Sequence, residues 1–91
     1  YLANDLGPQK IRVNAISPGP MKTLSGAAIG GARKTFRFTE ANAPLRANAT
    51  KASIGGTAVY LASDYGECTT GETIMVDGGM HILGLPQPEN F

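Results

Sequence analysis

Apolar Ile11, Val13 and Ala15 alternate with Arg12, Asn14 and Ile16. A period of two predicts a β-strand. Ser17-Pro18-Gly19-Pro20 follows and is expected to end the strand, because proline has no N–H to give to a ladder. Upstream, Leu2 and Leu6 at i, i+4 spacing predict the last turns of a helix, stopped by Gly7-Pro8 with Gly7 as its left-handed cap. Downstream, Leu24, Ala28, Ala32 and Phe36 recur at every fourth position and predict a helical face within residues 23–43. Gly26, Gly30 and Gly31 each weaken a helix by roughly 1 kcal/mol relative to Ala. Two short helices with a soft joint are therefore expected, broken at Asn42-Ala43-Pro44.

Thr50 suits the N-cap of a helix over residues 51–63, with Ile54, Ala58, Leu61 and Ala62 as its apolar stripe. Gly55-Gly56 inside that helix predicts a close backbone approach. Residues 63–71 read as a polar loop, residues 73–76 as a second short strand and Asp77-Gly78-Gly79 as a turn. From Met80 onward the chain shows no period. Strand, helices, strand predicts an α/β unit with parallel strands joined by a right-handed crossover. Two strands do not make a stable sheet alone, so sheet neighbours outside these residues are expected.

Composition narrows the function classes. The chain has 91 residues, enough for one domain with a modest core. Charged residues make up 16% and the net charge is +1, with the basic residues scattered, so no nucleic-acid or membrane footprint is present. No apolar stretch approaches the length of a membrane span. Cys68 has no second cysteine to pair with, which favours a reducing compartment. The opening Tyr-Leu-Ala-Asn reads as the inside of a helix and suggests a fragment. His81 has no ligand partner at metal spacing, and no metal site is expected. Cys68 lies in a polar loop without a base nearby, so no nucleophile role is assigned to it. Asp64, Glu67 and Glu72 read as solvated charges, and Asp77 as the residue that orders the turn before Gly78-Gly79.

The candidate chemistry lies in residues 17–23. Pro18 and Pro20 fix φ and stiffen the loop. Gly19 between them leaves room for a flat ring. Backbone groups after Pro20 suit a polar ligand such as a carboxamide, and Thr23 at a helix start suits a phosphate. The same residues also make an ordinary rigid turn with a capping threonine, and the loop by itself does not choose between the two.

Two signatures in one chain do choose. Asn14-Ala15-Ile16-Ser17-Pro18-Gly19, followed by the run from Thr69 to Gly79 (TTGETIMVDGG), resembles the carboxyl-terminal part of a short-chain dehydrogenase/reductase. Gly19-Pro20-Met21-Lys22-Thr23-Leu24 narrows the resemblance to the enoyl-acyl-carrier-protein reductases. The resemblance implies the C-terminal part of a Rossmann-type, doubly wound parallel sheet. It implies NAD as cofactor, held along Gly19, Pro20, Met21, Lys22, Thr23, Leu24 and Ser25. Met21's backbone would meet the carboxamide, and Thr23 the pyrophosphate. Residues 23–43 would form the substrate-binding segment, with Leu24, Ala27, Ile29 and Phe36 against the acyl chain. Many relatives carry an aromatic where this chain has Ala32. The family's catalytic tyrosine and lysine would precede Tyr1, so no catalytic residue is assigned here. The resemblance further implies an enoyl substrate on acyl carrier protein, a homotetramer and the cytoplasm. A 3-oxoacyl reductase or another short-chain reductase shares both signatures, and a non-catalytic nucleotide-binding relative would keep the fold.

Overall fold

The structure, a computed structural model, describes residues 1–21 and 30–90. Helix α1 (Leu2–Leu6) tightens into a 3-10 turn at Gly7–Gln9. Pro8, which has no N–H, is tolerated there because a donor at the first turn would have no partner in that turn in any case. Gly7 is helical, with φ −54°, and is not the left-handed cap expected of it. That position falls to Lys10 at φ 64°. Lys10 N–H donates to the Gly7 carbonyl at 2.8 Å and Ile11 N–H to the Leu6 carbonyl at 3.3 Å, the paired bonds that close a helix end.

Strand β1 is Ala15–Pro18 and strand β2 is Thr73–Val76, paired in parallel with Ala15 opposite Thr73 and Pro18 opposite Val76. The second strand falls where the pattern places it. The first starts later and runs further than expected. Residues 12–14 are tied to residues 69–72 largely through side chains. Val13 N–H donates to Thr70 Oγ1 at 3.1 Å, and Asn14 Nδ2 to the Thr69 carbonyl at 2.9 Å. Pro18 stays inside the ladder because Ala15 and Gly19 supply the N–H groups aimed at β2, at 2.8 and 2.9 Å. Alternation turns the nitrogen of Pro18 to the opposite edge, so nothing is lost on this side.

Helix α2 (Gly30–Asn42) and helix α3 (Lys51–Ala62) lie between the strands. Of the expected helix pair in residues 23–43, the first part lies outside the described residues. The described part is one continuous helix that begins at the glycine pair. Its buried face is Thr39, Asn42 and the following Ala43, at i, i+3, i+4. Phe36 of the expected stripe is half-buried. The helix ends where Asn42-Ala43-Pro44 predicts.

Thr50 caps α3 as expected. Ser53 N–H donates to Thr50 Oγ1 at 3.0 Å and Thr50 N–H to Ser53 Oγ at 2.9 Å, a reciprocal box with serine in the usual Glu position. No residue of α3 is buried. Among the described residues nothing lies within 4 Å of a Cβ built on Gly55 or Gly56, so the expected close approach is not made by them. Among the described residues the buried apolar side chains are Ala43 and Ala49. So small a core is what two strands without sheet neighbours provide. The tail contains 3-10 turns at Met80–Ile82 and Pro88–Asn90 rather than irregular chain alone.

Candidate functional site

Parallel α/β sheets bind ligands beyond the carboxyl ends of their strands. Here the register brings two turns together at that end: Gly19-Pro20-Met21 after β1 and Asp77-Gly78-Gly79 after β2. Gly19 N–H donates to the Val76 carbonyl, which carries the ladder one residue past β1. A Cβ on Gly19 would lie 3.1 Å from both Cα and Cβ of Asp77. The missing side chain is thus required by Asp77, whereas the sequence suggested room for a flat ring. Pro20 and Met21 leave this junction half-buried. Among the described residues, the Met21 backbone N–H and C=O make no hydrogen bond. One donor and one acceptor on the same residue are the two kinds of group that a primary carboxamide pairs with.

Asp77 organises the second turn. Its Oδ1 accepts from Gly79 N–H at 2.9 Å and its Oδ2 from His81 N–H at 3.2 Å. His81 Nδ1 lies 3.0 Å from both carboxylate oxygens. Partial desolvation pushes the Asp77 carboxyl up, but the His81 side chain, the Gly79 N–H, the His81 charge and the His81 N–H together hold it below its ordinary value. His81 therefore has the carboxylate partner that the sequence reading denied it. The i, i+4 spacing of Asp77 and His81 carried that signal. Among the described residues no three His, Cys, Asp or Glu side chains gather as a metal site would require. Cys68 is exposed and free.

The same turn grips the end of α2. Gly78 at φ +68° runs against the backbone of Ala47 and the methyl of Ala43, and Gly79 at φ +89° against the ring of Pro44. Leu45 N–H donates to the Gly78 carbonyl at 3.0 Å. Phe36, expected at the acyl chain, lies on this helix, and its carbonyl accepts from Asn48 Nδ2 at 3.0 Å. Asn48 Oδ1 is buried without a hydrogen-bond partner among the described residues. Of the expected cofactor residues, Gly19, Pro20 and Met21 are together at the strand ends. Lys22, Thr23, Leu24 and Ser25 lie outside the described residues, as do Ala27 and Ile29 of the expected acyl site.

Two asparagines hold segments together that lie far apart in the sequence. Asn14, a polar strand position by its pattern and the first residue of the Asn14–Gly19 signature, clamps the loop before β2: its Nδ2 donates to the Thr69 carbonyl and its Oδ1 accepts from Glu72 N–H at 3.1 Å. Asn42, part of the expected helix stop, is 1% exposed. An amide just before Ala-Pro at a helix end was the available cue.

A parallel strand pair with facing glycine turns at its carboxyl end is the C-terminal part of a Rossmann-type α/β domain. Residues 1–81 match the family model described as enoyl-(acyl carrier protein) reductase. The NADH-type enoyl-acyl-carrier-protein reductase FabI of Bacillus cereus is 54% identical over 84 residues, covering 92% of this chain and 33% of that protein. An NADPH-type FabI of Staphylococcus aureus is 49% identical over 83 residues, covering 91% of this chain and 32% of that protein. The crystal structure of the Anaplasma phagocytophilum enoyl reductase in complex with NAD superposes with a TM-score of 0.89 at 49% identity, covering 96% of this chain and 33% of that one. The chain belongs to the enoyl-acyl-carrier-protein reductase family. It spans about a third of the length of the curated relatives it matches.

Proposed function

We propose that the protein carrying these residues is an NADH-dependent enoyl-acyl-carrier-protein reductase of fatty-acid synthesis, acting in the cytoplasm as a homotetramer. The observation that carries the proposal is the Met21 backbone: half-buried at the carboxyl end of β1, with a donor and an acceptor not used within the described chain. When bound, NADH supplies the hydride that reduces the 2-enoyl thioester carried on acyl carrier protein. This chain's contribution is to hold and orient. Gly19 and Pro20 fix the direction in which Met21 leaves the sheet, and Met21 meets the carboxamide. Lys22, Thr23, Leu24 and Ser25 continue along the cofactor, with Thr23 hydrogen-bonding a pyrophosphate oxygen. Leu24, Ala27, Ile29 and Phe36 line the acyl chain. Among the described residues no helix is long and apolar enough to cross a membrane, in keeping with a carrier-borne substrate met in water.

Oxidation of NADH by the full-length protein in the presence of a 2-enoyl thioester tests the activity. No oxidation above background overturns it. Thr23→Val tests the site: a hydrogen bond to a charged group contributes roughly 1.5–3 kcal/mol, so the dissociation constant for NADH should rise about ten- to hundredfold. An unchanged constant removes Thr23 from the cofactor. The same titration with NADPH separates the two coenzymes, since relatives of each type match this chain.

A further inference from the structure

Asn42 closes α2 with its side chain fully buried. Its Oδ1 accepts two bonds from the tail, from Gln87 N–H at 2.7 Å and from Asn90 Nδ2 at 2.9 Å. Its Nδ2 donates to the Phe38 carbonyl of its own helix at 2.8 Å. The orientation of the amide follows from its partners. The Gln87 N–H only donates and the Phe38 carbonyl only accepts, so a flipped amide would forfeit both bonds. A local helix-end amide needs only the bond to Phe38. The two bonds to the tail span the rest of the chain and serve another purpose. Phe36 lies six residues before Asn42, about 9 Å along the helix axis. The helix that carries it is therefore held, from its middle to the turn that follows it, by three separate segments: Asn48 on the Phe36 carbonyl, the tail on Asn42, and Gly78 on Leu45 just past the helix end.

We propose that Asn42 is a positioning residue for the acyl site: it straps residues 87–90 across the end of α2 and so fixes where Phe36 stands. The positioning role rests on the enoyl reductase reading above; the strap itself does not.

Three variants of the full-length protein test it: Asn42→Ala, removal of residues 87–91, and both changes together. Each single change should raise KM for a 2-enoyl thioester about five- to tenfold, with kcat and the KM for NADH within twofold. The combined variant should be no worse than the more affected single one, because both remove the same contact. Effects that multiply, or a thioester KM that does not move, overturn the proposal. Should Asn42→Ala fail to fold, the tail deletion alone still reads the strap through the same split between KM and kcat. Hydrogen exchange at the Gln87 amide needs no activity and should quicken at least tenfold in Asn42→Ala. Unchanged exchange overturns the strap. A wild-type protein with no enoyl reduction overturns the positioning role together with the proposed function, while faster exchange in the variant would still support the strap.

Discussion

Gly19 and Asp77 meet across the carboxyl ends of the two parallel strands, so closely that a Cβ on Gly19 would stand 3.1 Å from Asp77 Cα and Cβ. Neither residue is free to yield. Gly19 is tied to the Val76 carbonyl at 2.9 Å, and the Asp77 carboxylate is held by Gly79 and His81. Overpacking of this kind typically costs 1–3 kcal/mol. Gly19→Ala in the full-length protein should therefore lower Tm by several degrees. An unchanged Tm would mean that the strand ends separate more easily than their hydrogen bonds suggest.

Gly78 and Gly71 both adopt left-handed backbone, at φ +68° and +76°, but their surroundings differ. A Cβ on Gly78 would overlap the Ala47 carbonyl, whereas one on Gly71 would meet, among the described residues, only the Ala3 methyl at 3.7 Å. Left-handed strain alone costs roughly 1–2 kcal/mol for an ordinary residue. Gly71→Ala should lose about that much. Gly78→Ala adds the overlap and should lose at least twice as much, read from urea unfolding of the full-length variants. Equal losses would place the α2 end away from the β2 turn.

The difference between those two glycines was not visible in the sequence. Local rules located β2, the Thr50 cap and the stop at Asn42-Ala43-Pro44, because each depends on a few neighbouring residues. Gly7 and Lys10 exchanged roles because the tightened turn around Pro8 carries the helix past the glycine. Gly19 was legible as a turn residue but its reason was not: Asp77 is far away in sequence. Asn14 and Asn42 belong to the same class, side chains with partners some 45 to 58 residues away, whereas the Asp77–His81 pair is local, at i, i+4. The early start expected for β1 failed for a related reason. Residues 12–14 have a strand pattern, but the loop opposite them is held largely by side chains, with the Gly71 N–H to Val13 carbonyl bond beside them rather than a regular ladder.

Acid should loosen the β2 turn through Asp77. Its carboxyl is held below the ordinary value, so the folded state favours the charged form. A depressed carboxyl stabilises the fold fully above its unfolded value, near 3.9, and that stability is lost as pH falls through the lower folded value. Asp77→Asn removes the titration while keeping one acceptor. Wild type should be the more stable of the two at pH 6, and the gap should close as pH falls below about 4. A gap that stays constant down to pH 2.5 would show that the charge on Asp77 does not support the turn.

The glycine pair of α3 separates the isolated chain from the proposed assembly. Among the described residues a Cβ on Gly55 or Gly56 meets nothing, while Val59 is 67% and Tyr60 41% exposed on the same helix. On propensity alone, Gly→Ala should stabilise this helix by up to about 1 kcal/mol per site. If α3 instead packs against a second subunit, an added side chain has no room, and overpacking costs roughly 1–3 kcal/mol. The second effect should win in the full-length protein. Gly56→Leu is expected to loosen the tetramer in sedimentation at low concentration, and the exposed-position control Lys51→Ala is not. A Gly56→Leu protein that stays tetrameric with undiminished Tm would remove this face of α3 from the subunit interface.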